Sequence, residues 1–198
     1  MCEWLTRWRN TRGYGVQSPT DYRFLKYVIR ERGEYYAYAS LCTQYALRGH
    51  ELKKGKLFFR IANALQPDVL CDLTKDAAQY APFFSAGCVR MKIRGEKQNE
   101  EGGDVLETAK DGEKGKCALL RLSCRDHSCE EIKALLKKLP GTKMMILEDV
   151  AGGGAARECY RALLAMEEIS ITFNLQSFAL CFLTPGRYKQ TYFVYFYE

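Results

Sequence analysis

Polar side chains able to do acid–base or metal chemistry stand at the ends of three short apolar runs. They form three groups: Asp72 with Asp76, Asp126 with His127, and Glu148 with Asp149. Carboxylates are hard oxygen ligands for magnesium or calcium, and next to a substrate they serve, like imidazole, as general bases. Ligands of α/β proteins bind where the carboxyl ends of parallel strands meet. The positions therefore predict a site at one edge of a sheet, with the apolar runs as its strands.

The spacing of the apolar runs supports such a sheet. After Pro67, runs of four to seven apolar residues alternate with helical patterns, which is typical of a parallel sheet wound with helices. Strands are predicted at residues 69–73, 88–93, 117–123 and 144–150, and helices at 77–86, 129–139 and 155–166. The strands are almost continuously apolar, as strands buried on both faces are.

Helices precede this body and strands follow it. Ser18 and Pro19 form a helix start, because serine caps a helix and proline fits its first position. Amino-terminal helices are predicted from Ser18 to about residue 32 and at residues 35–47 and 53–65. Residues 169–175, 178–183 and 192–197 are strand-like, with a turn at 184–187, so the chain is predicted to close with an antiparallel hairpin.

The predicted fold class is α/β, a doubly wound and mainly parallel Rossmann-like sheet with an amino-terminal helical layer. Residues 1–66 form the helical extension or lid, and residues 67–198 form one compact α/β domain. Residues 94–116 hold twelve charged residues and five glycines in 23 positions, which is too polar for a buried layer. They are predicted to be a charged surface loop or insert.

Composition narrows the class of protein. The 198 residues are 47% hydrophobic and 13% aromatic, which suits one domain with a substantial core. The nine cysteines are an odd number without a C-x-x-C pair, so we predict buried free thiols in a reducing compartment and no zinc site. No apolar stretch reaches the roughly 18 to 20 residues of a membrane span, and we expect a cytoplasmic protein.

The net charge of +6 is concentrated at the amino terminus, since residues 1–60 carry 12 basic and 5 acidic side chains. Two tryptophans and three arginines are interleaved in residues 1–12. Such a segment binds nucleic acid or an anionic surface in some proteins, but it is more often a plain solvated face.

Four segments, at residues 15–19, 56–73, 145–150 and 170–183, resemble in this order the class I S-adenosylmethionine-dependent methyltransferases, and more specifically a group of bacterial O-methyltransferase-like proteins. "GVQSP" at residues 15–19 is similar to that group's G-V-H-S-P. "KLFFRIANALQPDVLCDL" at 56–73 resembles its helix and first strand, and "MILEDV" at 145–150 resembles its fifth strand. "SITFNLQSFALCFL" at 170–183 looks like its closing segment. The resemblance implies a sheet in which one reversed strand is inserted between its neighbours.

The resemblance also implies where a cofactor would lie. In these enzymes the first strand runs into E-x-G-x-x-x-G, whose glycines let the backbone approach S-adenosylmethionine. This chain keeps the acid as Asp72 but has Thr74 and Ala78 where the glycines stand. A β-branched residue resists positive φ and fills the space of a ligand. Asp72, Thr74 and Asp76 are the candidate cofactor contacts, unless Asp76 only caps the next helix and backbone donors satisfy Asp72.

The second strand of the family normally ends in an acid that binds the two ribose hydroxyls. Here Ile93 is followed by Arg94, a donor where an acceptor is needed, and Glu96 is the nearby substitute. The 23 residues of the charged insert are too few for the helix, third strand and helix that follow in the family. We therefore predict a sheet without that third strand and a truncated adenine pocket.

The family's metal-dependent members place an aspartate after the fourth strand and an acidic pair after the fifth. Cys124 stands at the aspartate position, and Glu148 and Asp149 keep the pair. Because a thiol offers no hard oxygen, a metal site would need Asp126, and a bound divalent metal is not expected. His127 is retained from the family's F-I-D-G-N-H and, with Asp149, is the candidate catalytic group.

Other interpretations of these residues remain open. Glu148 and Asp149 are as well placed to cap the helix after residues 152–154 as to bind metal. That glycine triplet is more simply a joint than a phosphate cradle, because the lysine of a P-loop is missing. His127 beside Cys129 forms a thiol–imidazole pair only if the two side chains face each other.

Two functions follow. In an active S-adenosylmethionine-dependent (O-)methyltransferase, the cofactor would lie over the turn at residues 72–76, and Glu148, Asp149 or His127 would orient the acceptor. In a non-catalytic descendant, the retained fold would serve as a binding or dimerising module, for example in a homo-oligomer. Three damaged elements in one pocket favour the second, so we predict a pseudoenzyme.

Overall fold

Seven strands form one mixed sheet in the computed structural model, which describes residues 3–95 and 118–196. The strands are β1 (Val69–Asp72), β2 (Lys92–Gly95), β3 (Ala118–Ser123), β4 (Thr142–Glu148), β5 (Ile169–Asn174), β6 (Phe178–Leu183) and β7 (Gln190–Phe193). Their order in the sheet is β2-β1-β3-β4-β6-β5-β7. The pairs among β2, β1, β3 and β4 are parallel, whereas β6 runs antiparallel to both β4 and β5.

The predicted fold class is confirmed, with a mostly parallel sheet flanked by helices and a reversed strand inserted between its neighbours. Antiparallel strands do close the sheet, but the hairpin is formed by β5 and β6, in which Thr172 lies opposite Cys181, and not by the two strands on either side of the turn at residues 184–187. The prediction for the last strand was wrong in position, because β7 begins at Gln190 and ends at Phe193. β7 lies beside β5 and not beside β6, to which the turn at residues 184–187 connects it.

The prediction of a strand at residues 88–93 was also wrong in its first half. Cys88 ends the preceding helix, with its backbone N–H donating to the carbonyl of Phe84. A turn follows, closed by a hydrogen bond from Met91 N to Cys88 O, and β2 extends to Gly95. Arg94 therefore lies inside the strand, opposite Cys71, and not in the charged loop. Residues 96–116 of the predicted insert, including Glu96, lie outside the described residues, as does Cys117 at the start of the next predicted strand.

Seven α-helices lie in the described part of the chain. They are α1 (Glu3–Thr11), α2 (Pro19–Phe24), α3 (Tyr36–Tyr45), α4 (Gly49–Leu65), α5 (Ala77–Gly87), α6 (Cys129–Lys138) and α7 (Ala155–Ala165). The Ser18 cap is confirmed, since its hydroxyl accepts from Asp21 N. The helix does not continue to residue 32, because one π-helical turn at Leu25–Ile29 ends it. No helix of the described chain has the length and apolar character needed to cross a membrane.

The chain divides into two compact units. The helical unit comprises residues 1–66, 75–91 and 193–198, and the sheet unit comprises residues 67–74 and 92–192. Residues 75–91, which include α5, and residues 193–198 thus group with the helical unit.

Each unit has its own apolar core. In the helical unit, Phe59 and Phe83 are buried with Ala37, Tyr38 and Leu41. In the sheet unit, alternate strand residues such as Leu120, Leu122, Met145 and Leu147 pack against Ile132 of α6 and Leu163 of α7. Their intervening neighbours along the strands, among them Arg121, point to the opposite face of the sheet.

A glycine sets the distance between α4 and α5 inside the helical unit. A β-carbon added at Gly87 would collide with the backbone carbonyl of Phe59, and a backbone group cannot rotate away. We expect Gly87→Ala to lower the free energy of unfolding by about 1–3 kcal/mol, the usual penalty of overpacking. Gly153→Ala is the control, because its β-carbon would meet no atom within 4 Å. Urea denaturation of both variants checks this, and equal stability of the two would contradict the packing described.

Candidate functional site

The carboxyl ends of β1, β3 and β4 bring the predicted acidic residues to one edge of the sheet. Asp72 is the last residue of β1 and lies opposite Arg121 of β3. Glu148 is the last residue of β4 and lies opposite Ser123, which ends β3. Because the side chains of a strand alternate, Asp72, Arg121 and Glu148 point to the same face. The strand topology thus joins two residues that are 76 positions apart in the sequence.

Arg121 lies between the two carboxylates and bonds both. Its Nη1 is 3.0 Å from Oδ2 of Asp72. Its Nε and Nη2 are 3.0 and 2.9 Å from Oε1 of Glu148. Arg121 is 0% exposed, Asp72 1% and Glu148 8%. The three side chains, which we call the arginine bridge, form a charged group enclosed in protein.

Burial makes the members of the arginine bridge depend on one another. A charge removed from water is costly unless hydrogen bonds and an opposite charge compensate it. Thr74 completes the bonding of Asp72, because its backbone N–H and its hydroxyl both donate to Oδ1, at 3.1 and 2.6 Å. No buried side-chain nitrogen or oxygen in the described part of the chain lacks a hydrogen-bond partner.

The turn after β1 does not have the shape of a glycine-rich cofactor turn. Positive φ occurs at four described residues other than glycine, and none of them lies at residues 73–78. Thr74 is therefore unstrained at the position of the family glycine, with its side chain turned to Asp72. Ala78 lies in the first turn of α5.

Asp76 stands at the start of α5 but does not cap it, which corrects the capping interpretation. Its side chain makes no cap hydrogen bond, and its Oδ2 lies 4.0 Å from the ammonium of Lys54 in the helical unit. The idea that backbone donors satisfy Asp72 holds only in part. One backbone N–H contributes, and the other donors are the Thr74 hydroxyl and Arg121.

Glu148 and Asp149 are neighbours in sequence with different surroundings. Glu148 belongs to the arginine bridge, whereas Asp149 has a φ of +59° and leaves the strand direction. Asp149 accepts a hydrogen bond of 2.6 Å from the Ser123 hydroxyl and lies 3.4 Å from the exposed guanidinium of Arg125. Neither carboxylate caps α7, whose start at Gly154 has no side-chain cap. The capping interpretation of this pair was therefore wrong.

The proposed metal ligands do not form a cluster. Within residues 3–95 and 118–196, no group of three or more His, Cys, Asp and Glu side chains could hold a metal ion. Asp126 is exposed, while Glu148 is buried against Arg121. The guanidinium occupies the position next to Glu148 that a cation would need.

His127 faces the backbone and not a thiol. Its Nδ1 lies 3.3 Å from the carbonyl of Ser123, and its own carbonyl accepts from Sγ of Cys159 at 3.7 Å. Ser128 and Glu131 then start α6 with a capping box. No contact joins His127 to Cys129 in the described chain, so the thiol–imidazole hypothesis has no geometric support.

The buried thiols near this edge have raised pKa values. Burial is the main cause that raises the pKa of the Cys124 thiol far above its usual range, with Cys159 nearby adding to the shift. Burial also raises the pKa of Cys181 to about 12. Because the nucleophile is the thiolate, such cysteines are unreactive at neutral pH.

Sequence inspection missed Arg121, the residue that organises the edge. The signal was present, because one arginine interrupts the apolar strand "ALLRLS". A charge inside a strand buried on both faces requires carboxylates of neighbouring strands. Ser123, which donates to Asp149, was missed for the lack of any comparable signal.

No protein-family model matches the chain, and no curated protein matches it either. Among solved structures, it is similar to a methyltransferase from Geobacter sulfurreducens, with 14% identity over 81% of this chain and 96% of that one, at a TM-score of 0.49. It is also similar to the SAH-bound Podospora anserina methyltransferase PaMTH1, with 12% identity over 88% and 97% of the two chains and a TM-score of 0.49. At such values the function must be inferred from this chain's own residues.

The arginine bridge makes a prediction about stability. Arg121→Met leaves two carboxylates buried without their cation, so we expect the free energy of unfolding to fall by about 3–5 kcal/mol. Arg125→Met, which removes an exposed arginine nearby, should change it by less than about 1 kcal/mol. The triple variant Arg121→Met, Asp72→Asn, Glu148→Gln should recover part of the loss. Urea denaturation measures all three, and equal losses for both single variants would contradict a buried bridge.

The raised pKa values predict slow alkylation of the buried thiols. At pH 8, iodoacetamide should leave Cys124 and Cys181 of the folded protein unmodified while it reacts with the partly exposed Cys42. In denaturant all three should react at similar rates, because the shifts arise from burial. Peptide mass spectrometry distinguishes the sites. Alkylation of Cys124 as fast as that of Cys42 in the folded protein would contradict the burial described.

Proposed function

We propose that this chain is a methyltransferase-fold protein that does not use S-adenosylmethionine and acts as a binding or dimerising module. In the terms of the sequence resemblance, it would be a degenerate member of the bacterial O-methyltransferase-like group. The observation that supports this proposal is the arginine bridge at the edge of the sheet. It engages the acid of the cofactor turn and the first acid of the proposed metal pair in one buried group.

The residues present do not fit the cofactor. The resemblance assigns Asp72 a role in binding the cofactor's amine, which needs a carboxylate with unopposed negative charge. Here the guanidinium of Arg121 opposes that charge at 3.0 Å, and Thr74 holds the other oxygen. A second cation would therefore gain little from Asp72, since electrostatic attraction depends on net local charge.

The acids proposed as metal ligands also have partners already, which disfavours a metal-dependent methyl transfer. Glu148 shares Arg121, and Asp149 shares Arg125 and the Ser123 hydroxyl. A divalent cation would have to displace these partners. His127 and Asp149 remain the candidate catalytic groups of the alternative function, an active S-adenosylmethionine-dependent (O-)methyltransferase with an atypical cofactor site.

We also propose a reducing compartment such as the cytoplasm. The seven cysteines of the described chain are all free thiols, and five of them are buried. Self-association remains a proposal, as does contact of residues 1–12 with nucleic acid or an anionic surface. The guanidinium of Arg7 in α1 lies 5.1 Å from the ring centre of Phe193, and that of Arg12, just after α1, lies 4.6 Å from the ring centre of Trp8. These contacts favour a structural role for the arginines over recognition.

Calorimetric titration tests the proposal. We expect no binding of S-adenosylmethionine or S-adenosylhomocysteine up to about 1 mM, an affinity weaker than about −4 kcal/mol. We expect the pair Thr74→Gly with Ala78→Gly to remain silent as well, because both substitutions leave Arg121 beside Asp72. Micromolar affinity of the wild-type chain would overturn the proposal and favour the active enzyme.

A further inference from the structure

A cavity of about 310 Å³ lies within the helical unit, and none of its lining residues belongs to the arginine bridge. Its basic lining residues are Arg30, Arg32, Lys53, Lys56 and Arg60. Among the described residues, two acidic ones, Glu31 and Glu34, join them, which leaves an excess of three positive charges on that part of the lining. Such a concentration of one sign in a concave surface attracts an anion.

Arg60 is the basic residue of this cavity whose side chain is buried and held by hydrogen bonds. It is 6% exposed, and its guanidinium donates to the carbonyls of Val28 and Ile29 at 2.6 and 3.3 Å and to the Tyr38 hydroxyl at 3.2 Å. All these partners are neutral oxygens. Among the residues that the structure describes, no carboxylate pairs with Arg60, although buried arginines are normally paired. The positive charge at the cavity is therefore not cancelled by a buried acid.

The two acids of the cavity do little to reduce that charge. Glu34 is 76% exposed and lies 3.4 Å from the Lys56 ammonium, a surface pair that solvent screens. Glu31 accepts a hydrogen bond from the backbone N–H of Gly33 and thereby closes the local turn. Arg30 and Arg32, on either side of Glu31, are exposed at the cavity.

Three aromatic residues also line the cavity. The Lys56 ammonium lies 4.5 Å from the centre of the Tyr38 ring, and Tyr195 and Phe196 also line the cavity. Tyr195 is held in place because its backbone N–H donates to the Thr11 hydroxyl at 2.8 Å. Aromatic rings beside arginine and lysine bind planar rings by stacking while the cations take a phosphate.

We propose that this cavity binds a nucleoside monophosphate, with the phosphate at the basic residues and the base beside Tyr195 and Phe196. The volume lies at the small end of ligand sites, which span about 300–1,000 Å³, and suits one nucleotide. The inference goes beyond the proposed function and uses no residue of the sheet edge. It stands whether or not the arginine bridge excludes S-adenosylmethionine.

Calorimetry of the full chain with adenosine 5′-monophosphate (AMP) tests the site. We expect a dissociation constant of about 10–100 µM. Adenosine and inorganic phosphate should each bind at least about tenfold more weakly, because each lacks one of the two recognised parts. Raising the salt concentration should weaken AMP binding.

A matched pair of double variants assigns the location. Arg30→Gln with Arg32→Gln changes two exposed arginines at the cavity, and Arg157→Gln with Arg161→Gln removes the same charge from exposed positions on α7. The first pair should weaken AMP binding at least about tenfold and the second should not change it. No binding at 1 mM AMP, equal affinity for adenosine or for phosphate alone, or equal weakening by both pairs would overturn the proposal.

Discussion

Arg121 enters the sheet on β3 with its guanidinium enclosed, and the edge of the sheet is arranged around that charge. Asp72 from β1 and Glu148 from β4 approach it from the two neighbouring strands. A buried cation of this kind is stable only with such partners, so the three strand ends constrain one another. Thr74 is turned inward by the same constraint, because Asp72 needs donors for its second oxygen. Asp72 and Glu148, two of the carboxylates that the sequence marks as reactive, are thus part of the internal structure of the sheet unit.

The features that form this fold differ from the features that bind the cofactor in the methyltransferases. The topology, with its reversed strand between β4 and β5, needs only apolar strands and covering helices. Cofactor binding needs in addition a turn of special backbone shape and an acid with unopposed charge. The turn at residues 73–78 has ordinary φ values, and the acid is opposed by Arg121. The sheet and its helices therefore form without either of these two features.

Individual residues show why the sequence predicted most of the strands but not the contacts between their side chains. Periodicity located β1, β3, β4, β5 and β6 to within a few residues, because burial on both faces leaves an unbroken apolar run. It misplaced the start of β2. Cys88, Val89 and Met91 have the apolar pattern of a strand, but Cys88 is the residue that ends α5. It also missed the arginine bridge, because its members come from three separate strands and meet only through strand order. The turn after Asp72 was identified as lacking glycine, but the hydrogen bonds that replace it depend on side-chain geometry.

Arg121 holds Asp72 and Glu148 together in a closed, buried group. Nitrogen-15 NMR tests this directly through the side-chain Nε–H signal of Arg121, assigned by its loss in Arg121→Lys. A guanidinium bonded to Glu148 Oε1 at 3.0 Å should give a signal that exchanges slowly with water. The same signal should not move when S-adenosylmethionine is added at millimolar concentration. Rapid exchange with water, or a shift on addition of the cofactor, would contradict the account.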